Sequence, residues 1–229
     1  MDPVVAITLW AALFLGSHLV ISSNAVRPRL IAAVGERPYR AIYSIVALGT
    51  FIPLAIVFAR HKHAGAMLWD LREIPPVRWL VWLLMLIAFI VFVAGLMNPS
   101  PATLGAPSST GAPRGILKIT RHPGFVGFSI FGLAHMLMNG FVGDLVFFAS
   151  FPALSIIGGV HQDQRKLVEL GDSYRTLMGQ TSFLPGAALL SGRQRWIAGD
   201  TPWTAIAVGI AVTILIVLVH PWIFGGYPL

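Results

Sequence analysis

Long apolar runs separated by polar connections dominate the chain. A helix rises about 1.5 Å per residue and the hydrocarbon core of a bilayer is about 30 Å thick, so runs of about 20 apolar residues are typical of transmembrane helices. The 229 residues leave room for about six such helices and for little else. The pattern therefore predicts an all-α, polytopic transmembrane helix bundle that forms a single membrane domain, 1–229. The predicted spans are 3–22, 40–59, 77–97, 124–139, 145–160 and 203–222.

Two longer connections have a distinct character. Segment 98–115 is rich in Pro, Gly, Ser and Thr, which predicts an irregular loop over the membrane surface. Segment 161–200 opens with a mixed-charge helical pattern up to about Met178, and a Pro-Gly break and an amphipathic piece containing Trp196 follow. We expect 161–200 to be a cytoplasmic, amphipathic helical segment.

Composition agrees with a location in the lipid bilayer. Only 11% of the residues are charged, against about 25% in a soluble globular domain. The net charge of +7 raises the question of nucleic-acid binding, but the basic residues are scattered between apolar runs and form no patch with interleaved aromatics. Orientation in an anionic membrane explains the charge better, so no nucleic-acid partner is expected.

The positively charged residues indicate how the chain is oriented. The connections after the first, third and fifth runs hold twelve of the 16 Lys and Arg residues, and the opposite side holds four. The positive-inside rule then predicts a multi-pass protein of the bacterial inner (cytoplasmic) membrane with both termini periplasmic. Asp2 stands where a signal peptide would carry positive charge, so we expect the first run to be retained as a helix.

Three of the seven histidines lie inside predicted spans, and two of them, His18 and His135, lie away from the interfaces, where an ionisable side chain is costly and usually functional. His18 and His135 differ in predicted depth by about 10 Å, a stagger that a tilted macrocycle between two helices tolerates. The chain has no cysteine, and neutral imidazole suits iron, so one interpretation is bis-histidine ligation of a haem. The other is that each imidazole hydrogen-bonds a backbone carbonyl or a Ser on a neighbouring helix.

A further polar group, the triplet Arg121, His122 and Pro123, stands where the fourth run enters the membrane. Proline is favoured in the first turn of a helix, and the free N–H groups and dipole of that turn attract anions. The triplet predicts a contact with a phosphate, a carboxylate or a haem propionate, or else anchoring to lipid headgroups. The remaining histidines are expected to be solvated (His61 and His63) or to cap helix ends at the interface (His161 and His220).

Longer motifs run in order over nearly the whole chain and are far more specific than any single triplet. They are L-F-L-G-S-H-L (13–19), G-E-R-P-Y-R-A-I-Y-S (35–44), L-W-D-L-R (68–72), G-I-L-K-I-T-R-H-P-G-F-V-G (115–127), L-A-H-M-L-M-N-G (133–140) and Q-R-K-L (164–167). In order and spacing, these motifs resemble the NnrU family and its eukaryotic relatives, the plant 15-cis-ζ-carotene isomerases.

The resemblance implies a membrane protein that carries haem b. In the isomerases two histidines serve as axial ligands, and their positions match His18 and His135 here. Reduction of the iron is proposed to release one ligand there and to open a site that isomerises a cis double bond without net redox change. The proposed exchanging ligand is a cysteine three residues before the second histidine, where this chain has Gly132. The chain is therefore expected either to keep both histidines on the iron or to open a vacant site that binds nitric oxide or an alkene.

The function implied by the resemblance is a redox-gated haem activity. It is either cis–trans isomerisation of a hydrophobic polyene or a role in nitrite and nitric oxide metabolism (denitrification), with which bacterial relatives are associated. Arg40, Arg72 and Arg121, the last with His122, are candidates for contacting the haem propionates. Snorkelling of the arginines to the interface is the alternative.

Two other classes of function stay open. The R-H-P-x-F-x-G segment and the following L-V-E-L-G-D-S-Y (167–174) also resemble isoprenylcysteine and phospholipid methyltransferases, which bind S-adenosylmethionine. Here 164–166 stands where those enzymes have an acidic pair, and Phe125 replaces their tyrosine. The third class is a non-enzymatic haem or reductase assembly factor, because the same axial ligands serve electron transfer, sensing or catalysis.

Overall fold

The computed structural model describes residues 1–102 and 112–225. Within these residues the chain is helical and contains no β-strand, as predicted. Two 3₁₀ turns, Gly115–Lys118 and Ala198–Asp200, accompany the α-helices. The helices are α1 (Pro3–Ile21), α2 (Arg27–Val34), α3 (Glu36–Arg60), α4 (Pro75–Met97), α5 (Pro123–Met138), α6 (Val142–Leu170), α7 (Asp172–Gln180), α8 (Ala187–Leu190) and α9 (Trp203–Phe224).

The six predicted spans all coincide with helices. In the described part of the chain, five helices are long and apolar enough to cross a membrane, namely α1, α3, α4, α6 and α9. The predicted fourth span corresponds to α5, which is apolar but has only 16 residues. The all-α membrane fold is therefore confirmed, with five long spanning helices and one shorter apolar helix.

Local sequence explains where α1 begins and where α6 ends. The Asp2 carboxylate accepts a hydrogen bond from the Val5 amide at 3.1 Å, and Pro3 follows at the first helical position, which together favour a helix start. The predicted fifth span ended at Val160, but α6 continues to Leu170 because no helix breaker lies between Val160 and Gly171. Gly171 has a φ of 57°, a conformation that favours glycine and ends the helix. The first part of the predicted segment 161–200 is thus the end of α6, and its cytoplasmic location stays a prediction.

The chain divides into two compact units. The first comprises Met1–Val81 and Gly132–His161, and the second comprises Trp82–Phe131 and Gln162–Leu229. In the first unit, α1 packs on α3, and a cluster of phenylalanine rings fills the space beside them. We call this the phenylalanine cluster; its members are Phe14, Phe51, Phe58, Phe147, Phe148 and Phe151.

The second unit is held together by close backbone packing. A side chain at Gly127 of α5 would lie 2.9 Å from the Ala88 carbonyl oxygen of α4, and one at Gly209 of α9 would lie 2.7 Å from the Ile90 Cα atom. The glycines therefore let α5 and α9 approach α4 closely, as small residues do between membrane helices. The apolar core around these contacts comprises Val91, Val93, Ala94, Ile116, Leu117, Val126 and Ala205.

Candidate functional site

His18 lies near the C-terminal end of α1 and belongs to the first unit. Its Nδ1 atom is 2.9 Å from the Phe14 carbonyl oxygen. Because a carbonyl only accepts, Nδ1 carries the proton, and in the neutral ring the Nε2 atom keeps its lone pair. A backbone carbonyl on the second ring nitrogen is the usual arrangement for a histidine that binds a metal. The bond stays within α1 and does not involve a neighbouring helix.

The His18 ring lies between aromatic side chains. The ring centroid is 4.4 Å from that of Phe14 and 5.4 Å from that of Tyr43 in α3, both in edge-to-face geometry. Since Phe14 is a member of the phenylalanine cluster, His18 borders that cluster on the side of α1.

His135 lies near the C-terminal end of α5, in the part of that helix that belongs to the first unit. Its ring stacks on Phe148 of α6, with a centroid separation of 4.5 Å and an interplanar angle of 23°. The His135 carbonyl accepts hydrogen bonds from the backbone and side-chain nitrogens of Asn139, at 2.9 and 2.8 Å. His135 therefore borders the phenylalanine cluster on the side of α6.

Contacts within the first unit establish that α1 and α6 run side by side in the same direction. A side chain at Gly143 of α6 would touch the Ile7 side chain of α1 at 3.2 Å. Further along, Phe51 contacts both Phe14 of α1 and Phe151 of α6, with centroid separations of 5.3 and 6.3 Å. Gly143 thus lies at about the depth of Ile7, and Phe151 at about the depth of Phe14. Distances along α1 and α6 can therefore be compared from these points.

This register gives the relative depths of His18 and Phe148. His18 lies about 16 Å along α1 from Ile7, and Phe148, on which His135 stacks, lies about 8 Å along α6 from Gly143. The backbone positions of His18 and of Phe148 therefore differ in depth by about 9 Å. The stagger of about 10 Å expected between His18 and His135 stays a prediction.

Gly132 has no room for a side chain. A Cβ atom there would lie 2.6 Å from the Phe148 carbonyl oxygen, 2.7 Å from Pro152 Cδ and 3.2 Å from Phe151 Cβ, all of α6. Two of these contacts are shorter than real Cβ contacts, so the backbone of α5 lies directly against α6. The position that resembles the isomerase cysteine is therefore a helix-packing position in this chain.

Arg121 and His122, which belong to the second unit, bind an internal carboxylate. Arg121 donates to Asp163 through Nε at 3.0 Å and Nη2 at 2.5 Å, and His122 Nε2 lies 2.8 Å from the same carboxylate. Tyr174 donates its hydroxyl to Asp163 at 2.7 Å, and burial, reinforced by this bond, raises the pKa of the Tyr174 phenol. The triplet does contact a carboxylate, and that carboxylate is the chain's own Asp163.

Asp163 and Tyr174 complete this cluster, and no sequence motif connects either of them with Arg121. Tyr174 stood in the 167–174 stretch compared with methyltransferases, whereas Asp163 carried no motif. The only signal for Asp163 was an acidic residue at the point where α6 changes from apolar to charged. The residues that donate to Asp163 lie in α7 and in the segment before α5. No local sequence pattern connects either of these segments with α6.

The other two candidate arginines are also paired with carboxylates of the chain. Arg40 Nη2 lies 3.1 Å from Glu36, one turn earlier in α3. Arg72 binds Asp70 at 2.6 Å and lowers the pKa of that carboxyl to about 2. The four side chains predicted to hold propionates thus each have an acidic partner, and their contact with a cofactor stays a prediction.

Residues 61–74, which we call the outer strap, lie across the turn between α5 and α6. Asp144, whose side chain is 1% exposed, accepts hydrogen bonds from the His63 amide at 3.0 Å and from His63 Nδ1 at 2.7 Å. His63 is the only residue other than glycine with a positive φ, 60°, among those described. The strap is further bound by backbone pairs Gly143 to Ala64, Val142 to Ala66 and Leu68 to Gly140, and by Trp69 Nε1 to the Met136 carbonyl.

Comparison with known proteins places the chain in a family. The family model described as "NnrU protein" matches residues 6–228. The chain belongs to the NnrU family. It is 32% identical over 165 residues to the chloroplastic 15-cis-ζ-carotene isomerase of Zea mays, a match that covers 71% of this chain and 44% of the relative.

A second plant relative gives a similar result. The corresponding protein of Arabidopsis thaliana is 29% identical over 167 residues, which is 70% of this chain and 44% of the relative. The NnrU-family chain therefore spans less than half the length of these curated relatives. No solved structure matches it.

Proposed function

We propose that this NnrU-family protein is a membrane-embedded cis–trans isomerase of hydrophobic polyenes that depends on haem b, with His18 and His135 as axial ligands. The proposal is supported by the identity to two plant proteins named as 15-cis-ζ-carotene isomerases. It places the protein in the bacterial inner membrane with both termini periplasmic, as the distribution of Lys and Arg favours.

The observation that carries the haem assignment is the environment of the two histidines. Both border the phenylalanine cluster of the first unit, and the hydrogen bond from His18 Nδ1 to the Phe14 carbonyl leaves the Nε2 lone pair available to a metal. Among the described residues no three His, Cys, Asp or Glu side chains are grouped to hold a metal ion, whereas a haem needs only two axial imidazoles. The residues present therefore fit a bis-histidine haem.

When bound, a b-type haem would supply an iron that offers a coordination position to an alkene when one of the two histidines leaves it. The chain contributes the apolar surroundings of that position. The phenylalanine cluster excludes water, and the cluster's ring faces suit contact with a conjugated hydrocarbon. Residue 132 is a glycine packed against α6, so it provides no thiol ligand.

A hydrophobic polyene reaches such a site through the bilayer. Large apolar side chains are exposed on the surfaces of α1 and α3, including Leu9, Leu13, Ile45 and Leu48. These surfaces match the acyl chains, in which a polyene also partitions. Nitric oxide is the other small ligand implied by the resemblance, and a role in nitrogen-oxide metabolism stays a prediction.

Absorption spectra test the proposal directly. The protein, expressed with a haem precursor and purified in detergent, should show a Soret band in about one-to-one stoichiometry and sharp α and β bands on reduction with dithionite, as low-spin bis-imidazole haem b does. His18→Ala and His135→Ala should each lose or shift these bands. His61→Ala, at an exposed position, is the matched control and should leave them unchanged.

The same preparation separates the proposal from its competitors. Incubated with 15-cis-ζ-carotene in liposomes, the reduced protein should isomerise the substrate and the two alanine variants should not. A colourless wild-type protein would overturn the haem assignment. Saturable binding of S-adenosylmethionine that is lost in His122→Ala would favour the methyltransferase, although His122 is 3% exposed and already bound to Asp163.

A further inference from the structure

His161 carries a buried nitrogen that has no hydrogen-bond partner. It is the last residue of the first unit, in α6, and its Nδ1 atom is shielded from solvent and contacts no donor or acceptor among the described residues. Leaving a buried polar atom unsatisfied is destabilising, and such atoms in native proteins usually have a partner such as a water, an ion or a ligand. The expected role of His161 as a helix cap does not explain it, because Nδ1 contacts no helix end.

The position of His161 relates it to the two proposed haem ligands. It lies about 27 Å along α6 from Gly143, whereas His18 lies about 16 Å along α1 from the level of Gly143. His161 is therefore about 10 Å beyond His18, on the side away from His135. Helix side chains lean toward the N-terminus, so the imidazole points back toward the level of His18.

His161 also follows directly after Val160, where the apolar run of α6 ends. An apolar binding site in this unit would end at this boundary. The polar groups of a largely hydrophobic ligand would then lie next to His161. A haem has such an edge, because its two propionates are anionic while the rest of the macrocycle is apolar.

The four residues predicted to bind the propionates each bind an acidic side chain of the chain instead. Arg40, Arg72 and Arg121 each hold a carboxylate of the chain, and His122 shares the Asp163 carboxylate with Arg121. His161 differs from all four, since its buried Nδ1 has no acidic partner in the described part of the chain.

We infer that His161 is the residue that holds the anionic edge of the haem, by donating a hydrogen bond from Nδ1 to a propionate carboxylate. This inference rests on the proposed function, because it concerns the same cofactor. An imidazole donates through Nδ1 in its neutral form or as a cation, and a hydrogen bond to a charged acceptor is stronger than one between neutral groups. The unsatisfied atom then gains its partner only in the protein that contains haem.

The experiment compares haem with haem dimethyl ester, in which both propionates are blocked. Each is reconstituted into the wild-type protein, into His161→Phe and into the control His220→Phe, a histidine of α9 in the second unit. The rate of transfer to excess apomyoglobin measures retention. We expect His161→Phe to lose haem about tenfold faster or more, to lose the ester at the wild-type rate, and to keep the bis-imidazole spectrum. His220→Phe should behave as wild type with both.

A second measurement covers the possibility that His161 only supports the fold. Without haem, His161→Phe should melt at the same temperature as the wild-type protein or higher, because the substitution removes an unsatisfied buried nitrogen. A lower melting temperature without haem would assign His161 to the fold and overturn the inference.

The outcomes also separate this inference from the proposed function. A wild-type protein that shows the bis-imidazole spectrum, with His161→Phe retaining haem as well as wild type or losing haem and ester equally fast, overturns the role of His161 alone. A wild-type protein that binds no haem overturns both.

Discussion

At Gly132, a hydrogen atom in place of a side chain lets α5 lie directly on the backbone of α6. A Cβ atom at this position would lie 2.6 Å from the Phe148 carbonyl oxygen, and a backbone atom cannot swing aside as a side chain does. The consequence reaches the proposed site, because His135 follows one turn later in α5 and stacks on the same Phe148. The absence of a thiol at position 132 and the placement of His135 thus have one physical cause.

Gly132→Cys tests this coupling. The thiol should push α5 away from α6 and lower the free energy of unfolding by about 1–3 kcal/mol, as overpacking does. It should also disturb the haem spectrum, since His135 moves with α5. Thermal melts in detergent and reduced spectra measure both effects. Gly124→Cys is the matched control, because a Cβ atom at that position of α5 would have no neighbour within 4 Å, and it should change neither. A Gly132→Cys protein that melts and absorbs as wild type would contradict the packing argument.

Single residues differ in how far the sequence alone predicts their role. The sequence singles out His18 and His135 because an ionisable side chain inside an apolar run is energetically costly and usually has a function. The sequence does not single out Asp163 or His161. Asp163 is unusual because of its hydrogen-bond partners, and His161 is unusual because its Nδ1 atom has none among the described residues. Asp163 gathers donors from two other elements, and the isolation of His161 Nδ1 depends on everything packed around it.

At the level of elements, the outer strap is the feature that fixes the ends of two helices. Its hydrogen bonds connect residues 63–69 with residues 136–144, and the buried Asp144 carboxylate binds both the amide and the ring of His63. Trp69 donates to the carbonyl of Met136, the residue directly after His135. The strap therefore restrains the end of α5 that carries the second proposed ligand.

Removing the Asp144 carboxylate should release the strap. Asp144→Ala leaves two hydrogen-bond donors of His63 without their acceptor, and each such loss costs about 1–3 kcal/mol where the group is buried. We expect the amides of residues 64–68 to exchange with deuterium at least about tenfold faster, measured by mass spectrometry. Asp70→Ala, which removes an exposed ion pair with Arg72 in the same connection, should have little effect. Equal protection in Asp144→Ala would show that the backbone pairs alone hold the strap.

The strap also shows why some elements could be predicted and others could not. The long helices follow from apolar runs, which are local signals, and the observed bounds lie within about four residues of the predicted ones except at the end of α6. The strap has no periodic pattern, and its partners are about 75 residues away in the chain. Helix α2 is short and carries two arginines and a proline, so its sequence also lacked the apolar pattern on which the predictions relied.

At the level of the whole molecule, the proposed orientation rests on charge alone and is open to a direct test. Helix α3 runs from Glu36 to Arg60, and its 25 residues measure about 37 Å, enough to cross a hydrocarbon core of about 30 Å. Arg37 and His61 are exposed at its two ends, the first on the side rich in Lys and Arg and the second on the opposite side. The positive-inside rule assigns Arg37 to the cytoplasm and His61 to the periplasm.

Because the natural chain contains no cysteine, single cysteines introduced at these two positions are the only thiols. In intact cells whose outer membrane admits small reagents, a charged maleimide that cannot cross the inner membrane should label His61→Cys. It should label Arg37→Cys only after the inner membrane is permeabilised. Both positions belong to the first unit and lie at the two ends of α3, so the labelling compares the two ends of one helix. Labelling of Arg37→Cys alone in intact cells would reverse the orientation and put His161, with the haem edge inferred to lie there, on the periplasmic side.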